Sequence, residues 1–295
     1  MAVQKEIWMA SIIAALFAEN SFMSKAFNAD EYVNAGKTVH IPQAGKPSGV
    51  QKNRGELPAN VKQRKDSDLT FVLDEYTTDP IHIPHADTVE LSYDKRESVL
   101  RQDKLALLDE VAKAMIASWW PDKHVQPLKG DTLTKADVLS LMEAFNAADI
   151  PQEGRYLLVD AKMHAQLLQS LTESESMAFL ACADAEKGVL GKLFSFNVMM
   201  RSTVNPAGGM GALAWHEQSV CRALGEVKMF DRADDPTYYG DIYSFLVRCG
   251  GRKMRADELG VVALVDGDEI TNDAGSFGQE FDGPVEVIDE NEEGE

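Results

Sequence analysis

The sequence has few cysteines, and none of the three belongs to a C-x-x-C pair. Cys182, Cys221 and Cys249 are odd in number and far apart. This spacing argues against a disulfide framework and against a zinc site built from paired thiolates. No apolar run approaches the roughly 18 to 20 residues that a membrane span requires. The composition therefore favours a cytoplasmic protein with reduced thiols and no membrane association.

The motifs of common enzyme classes are also missing. Gly208 and Gly209 stand in a glycine-rich run, but neither Lys-Ser nor Lys-Thr follows, so the P-loop pattern fails. No G-x-S-x-G elbow is present. We therefore predict no catalytic residue, no cofactor and no phosphate-binding loop.

Histidines and carboxylates could in principle provide a metal site or an acid–base pair. His82 and His85 are three residues apart in a predicted strand, where they would face opposite sides, and His40 occupies a similar strand. The sequence therefore predicts polar strand-edge histidines and no metal site. Asp94 and Glu97 are interpreted as acidic residues at the start of a helix. Asp234 and Asp235 are interpreted as part of a turn before Pro236.

Basic residues are missing from the C-terminal end. No Lys or Arg follows Arg255, whereas 14 of the 48 acidic residues do. The whole chain therefore has a net charge of −19, but residues 1–255 contribute only −5 of it. Proteins that grip nucleic acid usually have a basic face. The charge therefore argues against a DNA-binding module and suits a container wall. The acidic residues 266–295 are expected to have little regular structure of their own.

A long polar connection is the most informative feature that is present. The segment PQAGKPSGVQKNRGELPANVKQRKD joins two predicted strands, TVHIP and LTFVLDEYTTDPIHIP. An exposed hairpin of that length has too little apolar surface to be stable alone. In a repeated assembly it would lie on the neighbouring subunit. Its basic residues are Lys46, Lys52, Arg54, Lys62, Arg64 and Lys65. They form either a solvated face or ion-paired contacts with another subunit, and we predict the subunit contacts.

Two amphipathic helices are predicted, one on each side of this connection. Residues 4–17 form an N-terminal arm whose apolar side, including Trp8 and Phe17, packs on another element or another subunit. Residues 94–119 form a helix of about 39 Å that ends before Pro121. We call this long helix the spine helix. Its apolar stripe is Leu105, Leu108, Ala112, Met115 and Trp119.

The remainder alternates between short elements. Helices over 134–147 and 162–171 and strands over 155–159, 196–201 and 212–216 indicate a second, α/β subdomain. Residues 173–191 give no clear pattern. Segments 220–230, 239–249 and 261–265 are predicted as long strands of one sheet beside the spine helix, with a bend or bulge at Gly250 and Gly251.

Several phrases of this chain resemble the major capsid proteins of tailed bacteriophages with the Hong Kong 97-type fold. They are KTVHIPQAG, NRGELPA, LDEYTTDPI, ELSYDKRESVLRQ and DPTYYGDIYSFLVRCGGRK, and the resemblance runs from about Trp8 to Val265. It implies an α+β fold with five parts. These are an N-terminal arm (1–36), an extended loop or hairpin (37–84), a peripheral domain with the spine helix (85–125 and 216–265), an axial domain (126–215) and an acidic tail (266–295).

The resemblance implies a structural function. Many copies would assemble into hexamers and pentamers of an icosahedral head that encloses double-stranded DNA, in a virion assembled in the host cytoplasm. Expected partners are further copies of the chain, a portal protein and a separate scaffolding protein, since no scaffold segment precedes the arm; decoration proteins are left open. The alternatives are an encapsulin-like nanocompartment shell and a cytoplasmic hydrolase.

Overall fold

The structure is a computed structural model that describes residues 10–16, 20–34, 36–43, 52–53, 67–84, 95–184 and 187–266. The helices in these ranges are α1 (residues 10–16), α2 (Lys95–Trp119, the spine helix), α3 (Lys135–Ala147), α4 (Ala161–Ser170) and α5 (Glu173–Ala181), with 3-10 helices at Ser21–Lys25 and Asp30–Tyr32. The strands are β1 (Phe27–Asn28), β2 (Val33–Asn34), β3 (Thr38–Gln43), β4 (Ser67–Val72), β5 (Asp74–Thr77), β6 (Ile81–Pro84), β7 (Val125–Pro127), β8 (Arg155–Asp160), β9 (Gly191–Leu193), β10 (Phe196–Arg201), β11 (Gly211–His216), β12 (Val220–Asp235), β13 (Gly240–Lys253) and β14 (Val261–Val265).

Within the described ranges, these strands form three sheets. The five-stranded sheet has the order β1-β12-β13-β5, and β6 also pairs with β13. The six-stranded sheet has the order β7-β14-β11-β8-β10-β9, and the three-stranded sheet the order β2-β3-β4. The mixture of helices and sheets confirms the predicted α+β class.

The spine helix forms as predicted and packs on the five-stranded sheet. Leu108, Ala112, Met115 and Trp119 are buried in one cluster with apolar residues of β13. Full burial of each of the larger of these side chains contributes about 1.5–3 kcal/mol. Leu105, which the apolar stripe also included, is exposed instead.

Glycine at position 251 allows the helix to approach the sheet this closely. A Cβ at Gly251 would lie 2.7 Å from the indole Nε1 of Trp119 and 2.8 Å from the carbonyl oxygen of Cys221. The predicted bulge at this point is wrong, because β12 and β13 pair regularly through Gly250 and Gly251. The irregularities lie further along the ladder, at Leu224/Val227 and Arg232/Asp235.

The α/β elements between the spine helix and β12 lie within one or two residues of their predicted ends. Helix α3 begins at a capping box, in which the Asp137 carboxylate accepts hydrogen bonds from the Thr134 amide at 2.9 Å and from its hydroxyl at 2.7 Å. The Asp160 side chain caps α4 by accepting from the Met163 amide. Helix α5 fills the segment where no element was predicted.

The predicted position of residues 261–265 is wrong. Strand β14 does not join β12 and β13; it lies between β11 and β7 in the six-stranded sheet, with Leu213 opposite Ala263. Its residues Val261, Val262, Ala263 and Leu264 are all buried. A strand that is apolar on both faces suits the interior of a sheet covered on both sides. The domain boundaries themselves stay a prediction.

The two strands of the predicted hairpin pair directly. Thr38 lies opposite Val72 and Gln43 opposite Ser67, in antiparallel register. The base packs through Val39 and Ile41 on a small cluster that includes residues of β12. Apart from residues 52 and 53, the connection between the strands lies outside the described residues.

The N-terminal arm packs on the chain's own spine helix in the part that is described. Ile12 and Leu16 of α1 are buried with residues of α2. Lys104 of α2 donates a 2.7 Å hydrogen bond from its Nζ to the carbonyl of Ser11. Of the two alternatives, another element or another subunit, the structure places α1 on another element.

Candidate assembly surfaces

The buried ionisable groups of the α/β region are structural. Arg155 is fully buried, and its guanidinium donates to the carbonyls of Pro151 and Ile150, to Oδ1 of Asn146 at 2.9 Å and to Oγ of Ser195 at 3.0 Å. None of these partners is charged, and burial lowers the pKa of Arg155. The side chain therefore joins α3, β8 and the turn before β10, and offers nothing to a substrate.

The cysteines are free thiols, as predicted. Burial raises the pKa of Cys221 to about 11 and that of Cys249 to about 12. Both side chains are therefore protonated at neutral pH and unreactive as nucleophiles.

The histidines and carboxylates singled out in the sequence do not converge. His40 is exposed on β3, and the ring of His82 on β6 lies 5.7 Å from the ring of Tyr238 at an angle of 49°. His85 and Asp94 lie outside the described residues. In the part of the chain that the structure describes, no group of three His, Cys, Asp or Glu side chains could bind a metal ion. Asp235 is buried in the β12–β13 turn and accepts a 2.8 Å hydrogen bond from the Thr237 amide.

Of the eight predicted contact residues, the structure describes Lys52, which is exposed in a turn. The others lie outside the described residues: Trp8, Phe17, Lys46, Arg54, Lys62, Arg64 and Lys65. Three further surfaces stand out in the described part of the chain, and the sequence analysis identified none of them.

The first surface is an acidic cleft of about 630 Å³ between β5 and the spine helix. Glu75 and Asp79 line one wall, and Asp103 and Glu110 line the other. Arg248 neutralises Glu75 at 2.6 Å, and Lys113 neutralises Glu110 at 2.7 Å. Burial raises the pKa of Asp103, because the carboxylate is partly removed from water. The cleft is therefore an acidic candidate contact surface.

The second surface is the tip of the β12–β13 hairpin. Tyr238 is 55% exposed and Tyr239 79% exposed. Tyr239 has a φ of 52°, in the left-handed region that bulky side chains rarely adopt. The Asp235 carbonyl accepts hydrogen bonds from the amides of both tyrosines, at 3.2 and 2.8 Å, and fixes this conformation. The tip thus presents two aromatic rings from a strained turn.

The third surface is helix α5. Phe179 anchors it in the core, whereas Met177 and Leu180 are 68% and 57% exposed. The first turn, Glu173 to Ser176, is polar, whereas the residues from Met177 to Ala181 are apolar on every side, a pattern more typical of a buried helix. These exposed apolar side chains make α5 a candidate contact surface.

Among the described residues, no helix combines the length and apolarity needed to cross a bilayer. No protein-family model matches the sequence, and no curated protein matches it. Solved structures do match the fold. One is from Mycobacterium phage Che8, at 18% identity and a TM-score of 0.62, covering 82% of this chain and 90% of that one.

Two other matches extend the comparison. The capsid structure of cyanophage P-SCSP1u is 17% identical with a TM-score of 0.60, covering 83% of this chain and 87% of that one. A virus-like particle from Pyrococcus furiosus is 10% identical with a TM-score of 0.60, covering 88% and 99%. The chain therefore has the α+β fold of bacteriophage capsid proteins, as the sequence resemblance implied.

Proposed function

We propose that this protein is the major capsid protein of a tailed bacteriophage. Many copies would assemble as hexamers and pentamers into an icosahedral head around double-stranded DNA. The observation that carries the proposal is the match to phage capsid structures over more than four fifths of the chain, with similar coverage of the matched chains. Its role would be structural, without a catalytic residue or a cofactor.

The mechanism we infer is contact between copies through surfaces that a single chain leaves uncovered. The segment from Lys46 to Lys65 carries six basic residues. The cleft beside the spine helix carries four acidic ones, of which Glu75 and Glu110 already pair with Arg248 and Lys113. Opposite charges across an interface favour association and fix its register.

The described end of the hairpin base, where the connection with the basic segment begins, lies away from the cleft of its own chain. The hairpin base lies near Met254, whose carbonyl accepts a hydrogen bond from Nε2 of Gln43. Strand β5, which lines the cleft, pairs with β13 at Val247. Val247 is seven residues before Met254, which at 3.3 Å per residue is about 23 Å along the strand. We infer that the basic segment pairs with the cleft of a neighbouring copy.

The net charge suits a head that releases its genome. Residues 1–255 carry a charge of only −5, so the wall would not hold DNA tightly. The domain boundaries given above, a portal protein, a separate scaffolding protein, decoration proteins and assembly in the host cytoplasm belong to the same proposal.

An encapsulin-like nanocompartment is the second candidate, because one of the matched structures is a virus-like particle from Pyrococcus furiosus. Particles isolated from cells that express this chain with its neighbouring genes would separate the two. Nuclease-protected double-stranded DNA in those particles supports the phage head. Particles filled with protein cargo and free of DNA support the compartment, and a protein that forms no particle contradicts both.

A further inference from the structure

A short segment of the arm is wedged between the spine helix and the six-stranded sheet. We call residues 20–25, which include the 3-10 helix Ser21–Lys25, the wedge. Phe22 and Met23 are buried in a cluster with residues of α2 and β11. The Phe22 ring meets Trp119 of the spine helix edge-on, at 5.8 Å between ring centroids.

Two side chains of the six-stranded sheet hold the ends of the wedge. Trp215 of β11 donates from its indole Nε1 to the carbonyl of Lys25 at 2.8 Å. At the other end, Nη1 of Arg201, the last residue of β10, donates to Oδ1 of Asn20 at 2.7 Å. The wedge is therefore fixed to this sheet at both ends.

Arg201 also joins the wedge to the spine helix. Its Nη2 donates to Oδ1 of Asp109 at 2.6 Å, and its guanidinium lies 5.8 Å from the centre of the Phe22 ring. Asn20, which is buried, donates in turn to the carbonyl of Leu108 at 3.3 Å. One guanidinium thus connects three elements that are distant in sequence.

The Arg201 side of this connection is buried, and one of its hydrogen-bond donors has no partner among the described residues. The Arg201 side chain is only 10% exposed. Its Nε is buried without a hydrogen-bond partner among the described residues. An unpaired donor in a buried site is costly, and such a group in a native fold calls for an explanation. An apolar side chain would fill the same space. We therefore attribute the charge of Arg201 to its role in joining the wedge, the spine helix and β10.

We propose that Arg201 is a positioning residue that locks the wedge and so fixes the angle between the spine helix and the six-stranded sheet. The inference rests on the proposed function for its consequence. In a closed shell of identical chains, the shape of each chain sets the angle at which neighbours meet. Loosening the lock would then change the curvature of the shell and not merely the stability of the subunit.

The test uses the full chain in two forms. Arg201→Gln removes both charge-assisted bonds, Arg201→Lys keeps the charge but not the two-armed geometry, and Asn20→Ala removes the wedge partner. Lys113→Gln is the matched control, because Lys113 pairs with the same Asp109 at 2.8 Å but is half exposed. Hydrogen exchange of residues 20–25 is measured in the soluble subunit, and particle diameter is measured by electron microscopy.

Loss of a hydrogen bond to a charged group should raise the exchange rate of the wedge at least about tenfold in Arg201→Gln. We expect a smaller rise in Arg201→Lys, a rise in Asn20→Ala and none in Lys113→Gln. Particles of Arg201→Gln should differ in diameter or lose their uniformity. Lys113→Gln serves as the control for the exchange measurement alone, because Lys113 also pairs with Glu110 of the acidic cleft.

Unchanged exchange in Arg201→Gln would overturn the lock. Faster exchange with unchanged particle diameter would overturn its effect on curvature. If Arg201→Gln does not fold, the exchange rates and particle diameters of Arg201→Lys and Asn20→Ala test the same two predictions. If the wild-type chain forms no particles, the proposed function fails, while the exchange measurement still decides whether Arg201 holds the wedge.

Discussion

The indole Nε1 of Trp119 donates a 2.9 Å hydrogen bond to the carbonyl oxygen of Cys221. This bond joins the last residue of the spine helix to β12, beneath the point where Gly251 of β13 leaves room for it. Trp119 is fully buried, which confirms its place in the predicted apolar stripe. The spine helix is thus fixed to the sheet at one defined register.

Gly251→Ala should destabilise the subunit, because the new Cβ would meet the Trp119 indole and the Cys221 carbonyl. Overpacking of this kind costs roughly 1–3 kcal/mol. Gly250→Ala is the control: it is the neighbouring position of the same strand, and its Cβ would lie 3.2 Å from the end of the flexible Leu73 side chain. Urea denaturation of both variants checks the difference, and equal midpoints would show that the close approach is not needed.

Helix α5 should lose stability in acid. Its capping carboxylate Glu175 accepts from the Thr172 amide at 2.8 Å and pairs with Lys135 at 2.9 Å. These bonds, the Thr172 amide first, lower the pKa of Glu175 from its ordinary value of 4.5 to about 2. A lowered folded-state pKa stabilises the fold above pH 4.5, and this contribution is lost as the pH falls towards 2.

Glu175→Gln should therefore be less stable than the wild type at pH 6, and the gap should close by about pH 2. Hydrogen exchange of residues 173–181 as a function of pH measures this. The effect is modest, because the pair is exposed and screened by salt. A gap that stays constant from pH 6 to pH 2 would contradict the assignment.

Tyr239→Gly should have opposite effects on the subunit and on its assembly. Glycine adopts the left-handed conformation of this position without strain, so the isolated subunit should gain about 1 kcal/mol. Removing the exposed ring should weaken particle formation if the tip is a contact surface. Asp149→Gly, at another left-handed position on the α3–β8 connection, is the control and should leave assembly intact. Wild-type assembly by Tyr239→Gly would remove the tip from the set of contact surfaces.

Charge reversal tests the acidic cleft. Asp103→Lys should reduce particle yield while the subunit still folds, because it places a cation where a basic segment of the neighbour is proposed to bind. Asp131→Lys changes an exposed carboxylate of the α2–α3 connection by the same amount and serves as the control. Adding Lys62→Glu or Lys65→Glu to Asp103→Lys should restore part of the yield. Rescue by neither substitution would show that the cleft binds something else.

Some parts of the fold could be predicted from the sequence because their signals are local. The β3–β4 pairing follows from two β-rich runs with turn residues between them, and the spine helix from an apolar stripe ended by Pro121. Helix α5 was missed because its polar residues (ESES) come first and its apolar residues (MAFLA) follow, so that no 3.6-residue period marks one face. The partner of β14 was wrong because an all-apolar strand shows that it is buried but not which strand lies beside it.

The candidate surfaces depended even more on long-range packing. The acidic cleft joins residues of β5 and α2 that lie about 30 positions apart, and Arg201 meets Asn20 across 181 positions. No local pattern marks either pair. The predicted basic contacts, by contrast, were visible as a composition, and apart from Lys52 they fall outside the described residues. The same holds for the acidic tail, whose path stays a prediction beyond Asp266.

Cryo-electron microscopy of the purified full-length protein tests the central claim most directly. The account predicts closed icosahedral particles whose reconstruction contains both hexamers and pentamers, with the fold described here in every subunit and each copy's basic segment lying on its neighbour. A protein that remains monomeric under all assembly conditions, or that forms particles in which the basic segment packs only on its own chain, would contradict it.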